Sequence, residues 1–257
     1  FSGFAIIPIS LTTCFFKSSI NSEELFTSFS RDTKATITSP FKSSFLPTTA
    51  DSATDLLKRI VVEESADIGI ALDGDADRMI IVDEKGEEVD GNLLFAAIVK
   101  NWNDRGLLEN KSVASTIMAN FALENYLSSI GIDLIRTNVG DRHLVKSMRE
   151  NNLKLGGEPS GHIVMSNFGT TGDGLIASLQ VLSMMSSEDR PISELVNLFE
   201  LYPQKNISIP INGNNSLNDP AVKKIIKEQE LLLDNKGRII VRESGTEPII
   251  RVMVESK

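Results

Sequence analysis

The 257-residue sequence contains few of the features that mark secreted, membrane-bound or disulfide-linked proteins. It has one cysteine, Cys14, so the chain cannot form an internal disulfide and needs no oxidising compartment. Its longest apolar stretch, Phe4 to Phe16, is interrupted by Pro8 and falls short of the roughly 18 residues that cross a membrane. The first basic residue, Lys17, follows that stretch, whereas a secretory signal places basic residues before it. We therefore expect a cytoplasmic protein with no membrane partner.

Positive charge is also scarce in this sequence. Asp and Glu outnumber Lys and Arg by 35 to 26, and the formal net charge is -9. A chain of this sign repels nucleic-acid phosphates unless it carries a local basic patch, and the sequence shows no such patch. It also lacks the G-x-x-x-x-G-K-[ST] run of a P-loop. We therefore expect no nucleic-acid partner.

The pattern of apolar residues divides the chain into four regions. Residues 1–50 are rich in Ser, Thr and Phe, show neither a strand nor a helix period, and are predicted to be irregular, with no assigned function. Residues 51–90 indicate helix, strand, acidic loop and strand. In residues 91–200 helices and strands alternate, which is typical of an α/β domain. Residues 201–257 favour a small α+β domain.

The periodicity and the capping residues also predict individual elements. Asp141 and Asp173 each stand just before a helical pattern, so both are predicted N-caps. The polar segment 212–218 is predicted to be a loop. Helices are predicted over residues 51–65, 93–104, 123–129, 142–150, 174–185 and 220–232, and strands over residues 67–72, 79–82, 113–118, 132–136, 207–211, 238–242 and 249–254.

Three carboxylates alternate with small residues in the run DGDADR. Asp73, Asp75 and Asp77 stand two residues apart, so an extended backbone would project all three to one side. Crowded carboxylates repel one another unless a cation lies between them, and oxygen ligands of this kind suit Mg²⁺. The adjacent Arg78 indicates a phosphate shared between the cation and the guanidinium. The run therefore predicts a magnesium site.

The run also fits two other interpretations. A solvated acidic hairpin turn would need no ligand at all. An EF-hand calcium loop is partly matched by the three aspartates and by Glu84 at its twelfth position. The sixth position of that loop requires Gly, but Arg78 stands there, and the flanking segments favour strands over helices. A magnesium loop is therefore the preferred interpretation.

The run GGEPSGH, residues 156–162, combines turn-forming glycines and a proline with three polar side chains. The carboxylate of Glu158 can accept hydrogen bonds from two sugar hydroxyls, and Ser160 or His162 can complete the pattern. These groups suit a polyhydroxy ligand. Taken alone, the run fits an ordinary polar turn equally well.

The run RESGTEP, residues 242–248, has the composition of a phosphate-binding loop. Arg242 precedes a turn in which Ser244, Gly245 and Thr246 can direct backbone N–H groups and hydroxyls at one phosphate. Arg251 follows on the next predicted strand. The alternative is a hairpin with an Arg–Glu pair on its surface.

Together and in this order, the three runs resemble the α-D-phosphohexomutase family, whose loops read D-G-D-x-D-R, G-E-x-S-G-H and R-x-S-G-T-E-P. The resemblance covers roughly Asp51 to the end of the sequence. The runs ALDGDADR, VGDR, TTGDG and RVMVE make it most similar to the bacterial phosphoglucosamine mutases. The family's fold implies an α/β chain with a remnant of the second domain, a complete third domain and a truncated α+β C-terminal domain.

The resemblance implies an isomerase that interconverts glucosamine 6-phosphate and glucosamine 1-phosphate on the route to cell-wall precursors. In such enzymes a phosphoserine phosphorylates the sugar, and the bisphosphate reorients and returns its other phosphate. The resemblance further implies that Mg²⁺ is held by Asp73, Asp75 and Asp77 with support from Arg78, and that the hexosamine phosphate contacts Glu158, Ser160, His162, Arg242, Ser244, Gly245, Thr246 and Arg251.

The serine motif of the family, of the type T-A-S-H-N-P, does not occur in these 257 residues, in which no Ser precedes a His. We therefore expect the isolated chain to have no mutase activity. Two alternatives stay open: a non-catalytic remnant that binds a phosphosugar or Mg²⁺, and a phosphomannomutase or phosphoglucomutase specificity. The sequence does not indicate an oligomeric state.

Overall fold

A computed structural model describes residues 4–8, 14–16, 50–211, 217, 219–234, 236–244 and 247–257, with side chains from Thr54 onward. Among these residues no helix is both long and apolar enough to span a lipid bilayer. The helices are α1 (Ala50–Glu63), α2 (Gly91–Asp104), α3 (Phe121–Ser129), α4 (Asp141–Glu150), α5 (Gly174–Glu188), α6 (Ile192–Leu195) and α7 (Pro220–Leu232). The strands are β1 (Phe4–Pro8), β2 (Cys14–Phe16), β3 (Ile68–Leu72), β4 (Met79–Asp83), β5 (Ser112–Thr116), β6 (Asp133–Thr137), β7 (Leu155–Gly157), β8 (Ile163–Met165), β9 (Gln204–Pro210), β10 (Gly237–Glu243) and β11 (Ile249–Ser256).

Helix α1 and strands β1 to β4 form the first unit. The sheet order is β2-β1-β3-β4, in which β1 is parallel to β3 and the other pairs are antiparallel. Strand β3 is apolar and buried throughout, because both faces of the sheet are covered. Leu57 and Val61 of α1 pack with Ala71 and Val82 on one face. The other face, which includes Ile70, joins the main core with helices α2 and α5.

The first fifty residues contain regular structure that the sequence pattern did not reveal. Phe4–Pro8 and Cys14–Phe16 are strands, so the prediction of irregular structure is wrong for these residues. Strand β1 pairs along its whole length with β3, which lies far along the chain. Because strand formation depends on the partner as much as on local preference, a distant partner leaves little trace in the local period.

The second unit is an α/β layer built on the sheet β6-β5-β7-β8. Strand β5 is parallel to β6 and β7, while β8 is antiparallel to β7. Helices α3 and α4 form the crossovers, so the carboxyl ends of β5, β6 and β7 meet at one side of the sheet. We call the loops that follow these ends, residues 117–120, 138–140 and 158–162, the carboxyl edge. The sequence did not predict β7 and β8, since three residues are too few to show an alternation.

The third unit is the antiparallel sheet β10-β11-β9 with α7 against β10. Asn120 and Arg238 attach it to the carboxyl edge. The side chain of Asn120 accepts a hydrogen bond from the backbone N of Tyr202 at 3.1 Å and donates one to its carbonyl at 3.1 Å. Arg238 donates to the carbonyl of Ala119 and pairs with the fully buried Glu255.

The longer predicted elements agree with the structure to within about three residues at each end. The predicted N-cap Asp173 is confirmed, because its carboxylate accepts a hydrogen bond from the N of Ile176 at 2.9 Å. The predicted N-cap Asp141 is wrong: it is the first residue of α4, and Gly140 caps the helix with φ of 118°. Glycine adopts this positive φ without strain, so it can make the sharp entry. The predicted loop 212–218 lies outside the described residues apart from Leu217.

Candidate functional site

The acidic run DGDADR forms the turn of the β3–β4 hairpin. Its backbone is turned rather than extended: Ala76 has φ of 59°, and the carboxylate of Asp73 accepts a hydrogen bond from the N of Arg78 at 3.2 Å. The N of Gly174, at the start of α5, donates to the carbonyl of Ala76 at 2.8 Å and fixes the turn from outside. The prediction of an extended backbone is therefore wrong.

The three carboxylates nevertheless come together. One oxygen from each of Asp73, Asp75 and Asp77 lies within 4.8 Å of the others. Asp75 is exposed and the other two are half-buried, so the group is open to solvent on one side. An all-oxygen donor set with room for water or a phosphate fits Mg²⁺. The flanking elements β3 and β4 are strands, which excludes the EF-hand interpretation.

Arg78 connects this loop with the GGEPSGH turn. Its side chain is about half exposed, and its Nε lies 4.0 Å from Oδ1 of Asp77. Its backbone forms a β-bridge with His162, and the next residue, Met79, donates from its N to the carbonyl of Gly161 at 3.2 Å. The acidic loop and the GGEPSGH turn therefore contact each other directly.

Glu158 and Ser160 lie together in the turn that follows β7. Glu158 is buried; its Oε1 accepts a hydrogen bond from the N of Gly140 at 3.2 Å, and its Oε2 accepts one from Oγ of Ser160 at 3.3 Å. Gly161 closes the turn with φ of 86°, and a Cβ there would stand 2.0 Å from the carbonyl oxygen of Met79. Glycine is therefore required at this position, and the Glu158 carboxylate is held at the carboxyl edge.

His162 is completely buried, which differs from the position expected of a sugar contact. Its Nδ1 lies 3.1 Å from Oδ2 of Asp77, and its Nε2 lies 3.6 Å from Oδ1 of Asp141. These three residues form a second group whose ligand atoms lie within 4.8 Å of one another. Asp141 belongs to this group, although its position before a helical pattern predicted only a cap.

The RESGTEP run forms the hairpin between β10 and β11. Arg242 and Arg251 are directly opposite in the register of these strands, so their side chains share one face of the sheet. Like charges placed opposite each other destabilise a sheet, and an anion between them removes that cost. Nη2 of Arg251 also lies 3.0 Å from Oε2 of Glu247, which is the surface pair that the alternative interpretation required. The hairpin thus has the surface ion pair of the alternative interpretation, and phosphate binding between the two arginines stays a prediction.

The structure describes only part of the tip of this hairpin. The N of Ser244 donates to the carbonyl of Ile249 at 2.9 Å and closes the base of the loop. Gly245 and Thr246, which the sequence predicts to contact the phosphate, lie outside the described residues. Their role stays a prediction.

Two arginines outside the three motifs donate to the carbonyl of Ala119 at the carboxyl edge, and one of them, Arg238, joins this hairpin to that edge. Nη1 of Arg136 donates to the carbonyl of Ala119 at 2.9 Å, and its Nε donates to Glu124 at 2.8 Å. Arg238 donates to the same carbonyl. Burial and the nearby positive charge of Arg136 lower the pKa of Arg238, although its pairing with Glu255 opposes both effects. Neither arginine belongs to a local motif, so the sequence carried no signal for this contact.

The fold and the site define a multidomain α/β protein in which an acidic hairpin turn contacts a carboxylate-bearing turn at the edge of a second sheet. Sequence models of three consecutive domains of one family match the chain: phosphoglucomutase/phosphomannomutase alpha/beta/alpha domain II over residues 33–86, alpha/beta/alpha domain III over residues 90–202, and the C-terminal domain over residues 212–257. The chain therefore belongs to the phosphoglucomutase/phosphomannomutase family. The match begins at residue 33, so the expectation that residues 1–50 do not resemble the family was wrong for residues 33–50.

The curated relatives to which the chain is similar include phosphoglucosamine mutases. The chain is 49% identical over 195 residues to the phosphoglucosamine mutase of Parvibaculum lavamentivorans, covering 76% of this chain and 44% of the relative. It is 50% identical over 205 residues to that of Bartonella tribocorum, covering 79% of this chain and 45% of the relative. The chain thus spans less than half the length of the curated relatives it matches.

Solved structures show the same fold. A phosphoglucomutase/phosphomannomutase family protein from Burkholderia thailandensis aligns with a TM-score of 0.64 at 17% identity, covering 82% of this chain and 47% of that one. The N-acetylphosphoglucosamine mutase of Aspergillus fumigatus, solved with GlcNAc-6P and magnesium, aligns with a TM-score of 0.59 at 20% identity, covering 81% and 55%.

Proposed function

We propose that this chain supplies the magnesium-binding, sugar-binding and distal phosphate-binding parts of a phosphoglucosamine mutase, an isomerase that interconverts glucosamine 6-phosphate and glucosamine 1-phosphate. One structural observation carries the proposal: the acidic turn and the Glu158 turn contact each other through the bonds of Asp77 with His162 and of Met79 with Gly161. A phosphosugar enzyme needs a cation site beside a hydroxyl-binding site, and the contact between the two turns supports the proposal for this reason. The names of the curated relatives give the proposal its substrate.

The proposed reaction is a pair of phosphoryl transfers. A phosphoserine gives its phosphoryl group to a sugar hydroxyl: the P–O bond to serine breaks, a P–O bond to the sugar oxygen forms, and the hydroxyl proton ends on the serine oxygen. The bisphosphate then reorients, and its other phosphoryl group returns to the serine by the reverse exchange. Both transfers need the same site to hold the sugar in two orientations.

The acidic turn would hold Mg²⁺ through Asp73, Asp75 and Asp77. A magnesium ion bound there supplies positive charge beside the phosphoryl oxygens during transfer. Arg78 lies next to the carboxylates with a half-exposed guanidinium, so it can donate hydrogen bonds to the same phosphoryl group. These residues would bind and orient the group that moves.

Glu158 and Ser160 would bind the hydroxyls of the sugar ring. Each Glu158 oxygen accepts one hydrogen bond within the protein, and a carboxylate oxygen can accept a second, so the carboxylate can still receive two hydroxyls. Its bond from Gly140 holds it in place before the ligand arrives. A carboxylate fixed in this way can serve either orientation of the sugar.

The β10–β11 hairpin would bind the phosphate that is not reacting. Arg242 and Arg251 share a face of the sheet, and an anion between them offsets their repulsion. Ser244, Gly245 and Thr246 are proposed to add hydrogen bonds from the tip of the loop. Binding of the distant phosphate would orient the sugar for transfer.

The isolated 257-residue chain is expected to show no mutase turnover, because its sequence contains no serine motif to carry the phosphoryl group. Purified chain would be assayed with glucosamine 6-phosphate, a bisphosphate primer and Mg²⁺, with product coupled to a second enzyme. The Asp75→Ala variant sets the background. Turnover by the unsubstituted chain above that background would refute the expectation.

Calorimetry tests the binding part of the proposal and separates it from the alternatives. Heat with glucosamine 6-phosphate in the presence of Mg²⁺, larger than with mannose or glucose 6-phosphate, supports the glucosamine specificity. Equal or greater heat with the other sugars would favour a phosphomannomutase or phosphoglucomutase. Binding without turnover is expected both of the proposed function and of a non-catalytic remnant, whereas no heat with glucosamine 6-phosphate or Mg²⁺ would rule binding out. A preference for Ca²⁺ over Mg²⁺ would contradict the assignment of the acidic turn. The cytoplasmic location stays a prediction.

A further inference from the structure

His162 lies between two carboxylates in the interior of the protein and has no exposed surface. Its Nδ1 is 3.1 Å from Oδ2 of Asp77, whereas its Nε2 is 3.6 Å from Oδ1 of Asp141, beyond hydrogen-bond distance. Nε2 has no hydrogen-bond partner among the described residues. An ionised carboxylate can only accept, so Nδ1 must be the nitrogen that donates to Asp77. The bond to Asp77 is therefore the one that fixes the ring.

The surrounding backbone keeps the imidazole in this position. The carbonyl of His162 accepts a hydrogen bond from the N of Glu158 at 2.8 Å, and its backbone forms a β-bridge with Arg78. Gly172 packs against the ring: a Cβ at that position would stand 2.3 Å from Cε1 and 2.6 Å from Nδ1. The ring thus lies directly against the backbone of Gly172, and a larger residue there would displace it.

We infer that His162 is a positioning residue that orients the Asp77 carboxylate for the cation, instead of a residue that contacts the sugar. Its Nδ1–H binds Oδ2 of Asp77, whose other oxygen, Oδ1, lies 4.0 Å from Nε of Arg78, so the carboxylate that joins Asp73 and Asp75 is held from both sides. Hydrogen bonds to ligating carboxylates from outside the coordination shell set their orientation and strengthen metal binding. Because His162 belongs to the sugar-binding turn, the same bond couples that turn to the acidic turn. The inference rests on the proposed function, since it concerns the same Mg²⁺ site.

A matched pair of variants separates the two ring nitrogens. The amide nitrogen of Asn replaces Nδ1 of histidine, so His162→Asn keeps the donor to Asp77. Gln reaches the position of Nε2, so His162→Gln loses that donor while remaining polar. Titration calorimetry with MgCl₂ alone would measure the affinity of the full 257-residue chain. His162→Gln should raise the Kd for Mg²⁺ by about 10- to 100-fold, while His162→Asn should stay near the unsubstituted value.

Thermal unfolding without Mg²⁺ shows whether each variant is folded, and Gly172→Ala provides a second approach if both histidine variants unfold. An alanine Cβ at residue 172 would displace the ring without changing any of the three aspartates, so it should also weaken Mg²⁺ binding. Equal Mg²⁺ affinity in the folded Asn and Gln variants, or an unchanged affinity in Gly172→Ala, would overturn the inference alone. Absence of Mg²⁺ binding by the unsubstituted chain would overturn the inference together with the proposed cation site.

Discussion

Replacing Glu255 with alanine should loosen the third unit at its attachment to the carboxyl edge. Glu255 has no exposed surface, and its partner Arg238 has a side chain that is 16% exposed. Arg238 also donates to the carbonyl of Ala119, to which Arg136 donates as well. Removal of the Glu255 carboxylate would leave the guanidiniums of Arg136 and Arg238 next to each other at one carbonyl oxygen. Arg238 would then lack its carboxylate partner in a largely buried position.

The size of this effect follows from the burial of the pair. Removing one partner of a buried ion pair costs about 3–5 kcal/mol, because the remaining charge is left uncompensated. The residual exposure of Arg238 favours the lower end, so we expect about 3 kcal/mol. Amide hydrogen exchange in β10 and β11 would measure it, since a loss of this size speeds exchange of the strand amides by roughly two orders of magnitude.

A solvent-exposed ion pair in the same unit provides the control. Lys224 and Glu228 of α7 lie one helical turn apart, with side chains 78% and 56% exposed. Glu228→Ala should change stability by less than about 0.5 kcal/mol, as is usual for exposed pairs at this spacing. If Glu255→Ala changed exchange in β10 and β11 no more than Glu228→Ala does, the buried pair would not hold this unit in place.

Two further predictions concern a turn of the second unit and a turn of the first. Gly161→Ala should lower stability by about 1–3 kcal/mol, because it combines a positive φ with a Cβ 2.0 Å from the carbonyl of Met79; an unchanged midpoint in thermal unfolding would contradict this. Burial raises the pKa of Glu84, but hydrogen bonds from Ser193 and from the backbone, with the charge of Lys85, together outweigh it and lower that pKa, so Glu84 stabilises the fold above about pH 4 and this contribution is lost as the pH falls. Ser193→Ala should therefore be less stable than the unsubstituted chain near pH 7, with the difference shrinking toward pH 3 in urea unfolding; a constant difference would show that the bond to Glu84 is not its cause.

The helices and the acidic turn could be predicted because their signals are local. The helix that Asp173 caps has apolar residues at helical spacing and a carboxylate at its start, so both its position and its cap were predicted. Clustering of Asp73, Asp75 and Asp77 followed from their spacing in the chain, although the turn that brings them together differs from the extended backbone assumed. Residues two apart stay near one another in several backbone conformations. The clustering of the carboxylates was therefore predicted correctly, although the predicted extended backbone was wrong.

The remaining features depend on residues that are distant in sequence. The strand Phe4–Pro8 is stabilised by its pairing with β3, and the contact of Asp141 with His162 joins the start of one helix to a separate turn. The pair Arg238–Glu255 is within one hairpin, but its attachment to Ala119 is not. No periodicity or short motif records contacts of this kind, so they could be found only from the fold.

The proposed site needs the acidic turn, the Glu158 turn and the β10–β11 hairpin together, and contacts between distant residues connect them. The acidic turn belongs to the first sheet, the Glu158 turn to the second and the β10–β11 hairpin to the third. Under the proposed function, no single unit would therefore hold the phosphosugar at both ends. The second sheet joins them: its turn bonds to Asp77 through His162, and its carbonyl at Ala119 accepts from Arg238. A change at the carboxyl edge should therefore affect binding of both the cation and the distal phosphate, even where it removes no ligand of either. Under the proposed function, the loops would provide the chemistry, and the contacts at this edge would direct it at one substrate.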